Sequence, residues 1–203
     1  MNASVVEATP RPAAGGVGYS YMDTRQALLQ SARKAFAERG YAATSLEDLA
    51  RTLGLTKAAV YHHFASKREL LEALLQEGLA ETQRAIAQPG TLYQRLMALA
   101  LAYRGQVEPL TALMTAYSSR RGGDLEAVEL AREAMRRGLE QLAGLLEQVA
   151  PGHGRALAVI FASIVHGAYM TAQHMPGYSA EALLQEGVAL FVRGLPDRAG
   201  EST

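Results

Sequence analysis

The stretch Ser45 to Phe64, SLEDLARTLGLTKAAVYHHF, predicts two short helices joined by a tight turn. Ser45 can cap the first helix, and Gly54 can end it, since glycine accepts the positive φ of a sharp turn. Thr56 can cap the second helix, which runs to about His63. Apolar residues supply the small core between the two helices: Leu46, Leu49, Leu53, Leu55 and Val60. Two helices joined in this way form a unit with which many regulators read DNA.

The second of these helices presents the side chains that we expect to meet DNA. Lys57 can reach guanine O6 and N7 or a phosphate, the alternative being a solvated lysine. Ala58 offers a methyl contact with thymine, or simply allows close backbone approach. His62 and His63 are adjacent, so they point about 100° apart and do not chelate one ion comfortably. We therefore expect both histidines to meet DNA and expect no metal site.

The helices on either side of this unit have clear start and stop signals. Asp23-x-x-Gln26 resembles a capping box at the start of the first helix, and Gly40 ends that helix. A fourth helix is predicted from Ser66 to the Pro89-Gly90 break. Phe64 is expected in the core. The helix starts at Thr44-Ser45 and at Lys67 are candidate phosphate sites, because helix N-termini attract anions. Thr56, at the start of the second helix of the unit, is a further candidate DNA contact.

At these residues the sequence resembles the TetR family of transcriptional regulators. The likeness runs through AFAERGYAATS (Ala35 to Ser45) and VYHHFASKREL (Val60 to Leu70), about a quarter of the chain. The resemblance implies that Tyr61 donates its hydroxyl to a phosphate, although a half-buried packing aromatic is the alternative. It also implies a cytoplasmic regulator that binds a palindromic double-stranded DNA operator. Repression is the commoner habit of the family, with activation as the alternative.

The rest of the chain predicts further helices, at about 91–103, 109–117, 124–149, 155–175 and 179–193. We therefore expect an all-α fold of about nine helices. The expected organisation is a flexible tail over 1–21, a DNA-binding domain over 22–82, with its helix-turn-helix at 45–64, a ligand-binding and dimerisation domain over 83–197, and a tail over 198–203.

The resemblance implies a homodimer that pairs through the last two helices and encloses a small organic ligand. The small residues Gly167, Ala168 and Gly187 would let the helices of two subunits approach closely. Candidate pocket residues combine apolar and polar types, and each is equally compatible with plain core. They are Leu96, Leu99, Tyr103, Leu113, Met114, Tyr117, Phe161, Val165, His166, Tyr169 and Met170, with Arg104 and His174 as further polar candidates. His166 and His174 are eight residues apart, too far for helical i, i+4 chelation, so an organic ligand is favoured over a metal.

Composition excludes several classes of protein. The 203 residues contain no cysteine, which rules out thiol and disulfide chemistry. Because no cleavable apolar leader is visible either, we expect an intracellular protein. Formal net charge is zero, although the segment 21–70 carries an excess of three positive charges. A nonspecific DNA-packaging protein would be far more basic. No phosphate loop, nucleophile elbow or zinc-protease motif is present, so we expect neither an enzyme nor a cofactor.

One segment is apolar enough to raise a membrane question. Residues 156–180 contain no charged residue, which is long enough to cross a bilayer. The segment also carries Ser163, His166 and Gln173, and many of its apolar positions are only alanine or glycine. We therefore expect a helix buried on most sides and no membrane partner.

Overall fold

The computed structural model describes residues 21–103 and 125–196, and all regular secondary structure within those ranges is helical. The eight helices found there are α1 Tyr21–Arg39, α2 Leu46–Leu53, α3 Lys57–His63, α4 Lys67–Ala87, α5 over 92–103, α6 Leu125–Glu147, α7 Gly154–His174 and α8 Ala180–Arg193. The all-α prediction is confirmed. The helix predicted at 109–117 lies outside the described residues.

The first three helices and the start of α4 close around one apolar cluster. Phe36 of α1, Val60 of α3, and Phe64 are almost completely buried in it. Leu53 and Leu55 pack against the same cluster, so the small core predicted between α2 and α3 is confirmed. The capping box expected at Asp23 is wrong, because α1 already includes Tyr21 and Asp23 lies in its first turn. An acidic residue in that turn is still favourable against the positive end of the helix.

The C-terminal helices form a second apolar cluster, and α4 and α6 join it to the first. Leu146 of α6, Phe161 of α7 and Leu184 of α8 are buried at its centre. Helix α4 contributes Leu70 and Leu71 to the first cluster and Ala85 to the second. The expected domain boundary at 82/83 therefore falls inside a continuous helix. A movement of α4 would therefore change the packing of both clusters.

The turn between α6 and α7 is held by one carboxylate. Glu147 is the last residue of α6 and accepts hydrogen bonds from the backbone N–H of Gly152 at 2.6 Å and of Gly154 at 2.9 Å. These two hydrogen bonds lower the pKa of Glu147, since they favour its charged form. Gly154 is the first residue of α7, so the same carboxylate also meets the positive end of that helix.

Helices α7 and α8 leave an apolar face uncovered. Val159, Ile160 and Leu190 are 54%, 51% and 56% exposed, and we call these three residues the α7–α8 face. Helix α7 is also long and apolar enough to cross a membrane by length and composition, with a mean hydropathy of 1.4. Its opposite side, which includes Phe161 and Val165, is buried in the second cluster. The expectation that α7 is buried on most sides is therefore wrong.

A small residue in α8 serves packing within the chain. A Cβ at Gly187 would lie 2.8 Å from Ile164 of α7, so glycine allows these two helices to approach closely. Ala168 is buried as well. Of the three small residues expected between subunits, Gly167 is the one that is exposed, with open space around its Cβ position.

Candidate DNA interface

Local hydrogen bonds fix the geometry of α2 and α3. Ser45 caps α2 in a reciprocal capping box with Asp48, whose N–H donates to the Ser45 hydroxyl at 3.1 Å. Gly54 ends α2 with φ of +65°, the left-handed conformation that glycine adopts at low cost. Thr56 then caps α3 by accepting from the N–H of Ala59 at 3.2 Å. These features are the predicted ones, and they hold α3 against α2 at a fixed angle.

One side of α3 is buried and the other faces solvent. Val60 is buried in the first cluster, whereas Lys57, Ala58, Tyr61 and His62 are exposed. Ala58 and Tyr61 lie three positions apart, and Lys57 and Tyr61, like Ala58 and His62, lie four apart, so the four exposed residues are neighbours on one surface of the helix. This surface carries a cation, a hydroxyl and an imidazole on a helix of 7 residues. It has the donors and the small residue that recognition of a base-pair edge requires.

His63 is placed differently from His62. Its side chain is half buried, and burial lowers its pKa, with smaller contributions from His62 and Arg25. Its ring lies 5.6 Å from that of His62, measured between centroids. The neutral form is therefore favoured, and His63 lies at the margin of the exposed surface rather than at its centre.

Two donors of α3 meet one carboxylate of α2 that sequence reasoning missed. The Nζ of Lys57 lies 2.8 Å from Oε1 of Glu47, and the hydroxyl of Tyr61 donates to the same oxygen at 3.1 Å. The pKa of Glu47 is lowered, first by the hydrogen bond from Lys57, and that of Lys57 is raised by the same contact. Glu47 and Tyr61 are 14 residues apart, so no helical spacing signals their contact.

The candidate phosphate sites border a shallow hollow between the starts of α2 and α4. Ser45, Glu47, Tyr61 and Lys67 line it. Lys67 is half buried, and its Nζ donates to the carbonyl oxygen of Tyr41 at 2.8 Å. The ammonium therefore stabilises the loop before α2, and its positive charge lies close to the hollow.

Thr44 is oriented toward the interior. Its side chain is buried, and the Oγ1 hydroxyl donates to the carbonyl oxygen of Gly40 at 2.9 Å. A hydroxyl in this position ties the end of α1 to the start of α2. The residue positions the hollow and offers solvent no side-chain donor.

A compact cavity of about 180 Å³ lies among α1, α4, α5, α6 and α7. Four of the candidate pocket residues line it: Leu99, Tyr103, Phe161 and Val165. Leu96 is instead buried in the second cluster, and His166 and His174 are exposed. The half-buried Met170 is not among the lining residues, and Tyr169 donates its hydroxyl to the carbonyl oxygen of Ala100 at 2.9 Å. Leu113, Met114, Tyr117 and Arg104 lie outside the described residues.

The cavity also has walls that sequence reasoning did not assign to it. Six residues of α4 between Leu71 and Thr82 line it, and α1 contributes Phe36 and Arg33. The Arg33 guanidinium lies 3.4 Å from the Glu77 carboxylate of α4, which places an ion pair beside the α1 wall of the cavity. The leucine spacing of α4 was visible in the sequence, but which side of the helix meets a cavity depends on how α1 and α6 pack.

Comparison with known proteins gives a family match over the N-terminal segment. Residues 28–74 match the family model described as "Bacterial regulatory proteins, tetR family". The HTH-type transcriptional repressor AcnR of Corynebacterium diphtheriae is 38% identical over 66 residues, 32% of this chain and 35% of the relative. The HTH-type transcriptional regulator TtgR of Pseudomonas putida is 43% identical over 65 residues, 32% of this chain and 30% of the relative. The chain thus spans about a third of the length of these curated relatives.

The likeness of fold extends over most of the chain. A solved structure of a transcriptional regulator (TerR/AcrR family) from Aquifex aeolicus aligns with a TM-score of 0.68 at 18% identity. The alignment covers 82% of this chain and 98% of that one. The two curated relatives are named as regulators rather than as enzymes, in agreement with the expectation from the sequence.

Proposed function

We propose that the chain is a TetR-type transcriptional repressor of the cytoplasm, because its residues 28–74 match the model of the bacterial regulatory proteins of the tetR family. In this proposal it binds a palindromic DNA operator as a homodimer and is released by a small organic ligand. The observation that carries the proposal is the surface of α3, where Lys57, Ala58, Tyr61 and His62 are exposed together on a helix fixed at both ends.

DNA recognition divides between this surface and the hollow beside it. Ala58 and His62 are the candidates for contacts with base edges in the major groove, and Lys57 can reach a base edge or a phosphate. Tyr61, Lys67 and the starts of α2 and α4 border the hollow, where backbone phosphates would lie. A phosphate contact fixes the position of the protein on the duplex, and the base contacts then decide the sequence.

The α7–α8 face supports pairing of two copies. Three large apolar side chains that are more than half exposed lie on two helices that pack against each other, and exposed apolar surface of this kind is typical of a face that another protein covers. A twofold dimer would present two copies of α3 to successive major grooves, about 34–36 Å apart or a multiple of that distance. The palindromic operator follows from this symmetry.

The cavity offers a route from ligand to DNA. Its walls include Phe36 of α1 and a side of α4, and both helices also pack against the cluster that holds α3. A ligand that prefers a wider cavity would therefore favour a shifted α4, and the two reading helices would no longer match the operator. The coupling free energy of such a system is the same in both directions.

Selection of bound fragments from the source genome tests the proposal. We expect one or a few short palindromic sequences to be enriched, and we expect particular apolar metabolites to release them. At equilibrium, a releasing metabolite must lower operator affinity by the factor by which operator lowers metabolite affinity. Enrichment without any sequence preference would contradict the DNA part, and unequal factors would contradict the coupling.

A further inference from the structure

The Glu47 carboxylate occupies two donors of α3, Lys57 and Tyr61, of which Tyr61 lines the hollow. One oxygen, Oε1, is 2.8 Å from the Lys57 ammonium and accepts from the Tyr61 hydroxyl at 3.1 Å. The Lys57 ammonium also lies over the Tyr61 ring, 5.3 Å from its centroid. An anionic oxygen with these two donors is equivalent, in charge and geometry, to a phosphate oxygen bound by the same pair.

The position of Glu47 keeps its carboxylate charged and close to the DNA-binding surface. It is the second residue of α2, where the positive end of the helix favours a negative charge. The hydrogen bonds from Lys57 and Tyr61 lower its pKa, so it is ionised at neutral pH. Glu47 also borders the hollow between α2 and α4, so its charge remains beside an incoming phosphate even after Lys57 has turned away.

We propose that Glu47 is an internal competitor of DNA phosphate for Lys57 and Tyr61, which weakens the binding of all DNA. The inference rests on the proposed function, because it concerns the regulation of the same DNA-binding surface. Nonspecific binding depends almost wholly on phosphate contacts. A competitor for those contacts lowers the affinity for nonspecific DNA. Stable complexes then form on sequences that also supply base contacts.

The salt dependence of binding gives this competition a distinctive signature. A lysine that neutralises a phosphate releases a counterion from DNA, which steepens the dependence of affinity on salt. Lys57 leaves a carboxylate behind when it turns to DNA, and that carboxylate gains a counterion in exchange. The net release from the wild-type contact is therefore near zero, whereas without Glu47 it is near one.

The test compares Glu47→Gln with Glu140→Gln in the full chain. Glu140 pairs with Arg136 on α6, so both variants remove one exposed carboxylate and one ion pair, and both change net charge equally. Asp48 and not Glu47 completes the capping box, so α2 keeps its N-terminus in the variant. Affinity is measured by fluorescence anisotropy on the selected operator and on an unrelated duplex, over a range of salt concentrations.

We expect Glu47→Gln to tighten binding to both duplexes by about two- to fivefold, the range of an exposed ion pair. The plot of log affinity against log salt becomes steeper by about one. Glu140→Gln changes neither. In a Lys57→Met background the gain from Glu47→Gln is smaller, because one of the two contested donors is gone.

Unchanged affinity and salt slope in Glu47→Gln would overturn the inference, as would a gain that persists in full in the Lys57→Met background. The proposed function would still hold if the wild-type protein prefers one duplex in the same assay. No preferred duplex for the wild-type protein would overturn the proposed function, and with it this inference.

Discussion

Lys57 is the first residue of α3 and its charge lies at the edge of the exposed surface. We predict that Lys57→Ala weakens binding to the operator and to an unrelated duplex by a similar factor, about two- to fivefold, because Lys57 contacts a phosphate in both complexes. Lys34→Ala is the control, since Lys34 is also exposed and pairs with Glu38, but lies on α1. Weakening confined to the operator would assign Lys57 to a base edge and would contradict its competition for phosphate, and unchanged binding would remove it from the interface.

The Thr44 side chain has a structural role between the end of α1 and the start of α2. We predict that Thr44→Val lowers the free energy of unfolding by about 1 kcal/mol, because the partly buried carbonyl oxygen of Gly40, just after α1, loses its donor. Thr52→Val removes a comparable hydroxyl, which donates to the Asp48 carbonyl oxygen at 2.9 Å on the surface, and should change stability less. Urea unfolding of both variants measures the difference. Equal stabilities would contradict the buried role.

At the scale of the elements, the turn between α2 and α3 depends on Gly54. We predict that Gly54→Ala destabilises the protein by about 1 kcal/mol, because a Cβ is unfavourable at φ of +65° although space is open there. Gly144→Ala is the matched control, since Gly144 lies inside α6 with open space around its Cβ position, where alanine favours the helix. Thermal unfolding should therefore shift in opposite directions. A stabilising Gly54→Ala would contradict the account.

We predict that the turn between α6 and α7 makes the free energy of unfolding depend on pH. Glu147 has a lowered pKa, so its contribution to stability is present above the ordinary glutamate pKa of about 4.3 and is lost as pH falls through its native value. Glu147→Gln should destabilise the protein at pH 7 and much less near pH 3. Glu186→Gln, which removes an exposed carboxylate 3.9 Å from Arg193, is the control. A Glu147→Gln effect independent of pH would contradict the role of the charge.

The sequence predicts those elements whose interactions join residues that are close together in the chain. The caps at Ser45 and Thr56 and the turn at Gly54 depend on residues within about four positions, so each leaves a local pattern. The contact of Glu47 with Tyr61 depends on how α2 crosses α3. The α4 wall of the cavity likewise depends on how α1 and α6 pack, and no local pattern encodes either arrangement.

In the whole molecule, α4 and α6 connect the two apolar clusters, of which the first holds α3 and the second holds α7 and α8. An ion pair between Arg68 of α4 and Glu126 of α6 adds a contact between these two connecting helices. The start of α6, including Val128, packs in the first cluster, while Leu146 near its end packs in the second. Because of these connections, events in the cavity and at α3 can be coupled.

The assembly is tested at the α7–α8 face. We predict that Ile160→Glu converts the proposed dimer to a monomer, because a charge buried in an apolar interface is not solvated there. Leu125→Glu is the control, since Leu125 is 67% exposed at the start of α6, away from that face. Light scattering after size exclusion gives the mass of each variant. A dimeric Ile160→Glu protein would place the interface elsewhere.

A footprint on a selected genomic fragment shows whether two copies of α3 bind one specific DNA sequence. We predict protection of a single palindromic stretch, with half-sites about one helical turn apart or a multiple of it. We also predict that Lys57→Ala loses this protection at concentrations where Lys34→Ala retains it. Uniform coating of the fragment, or equal protection by both variants, would contradict specific binding through α3.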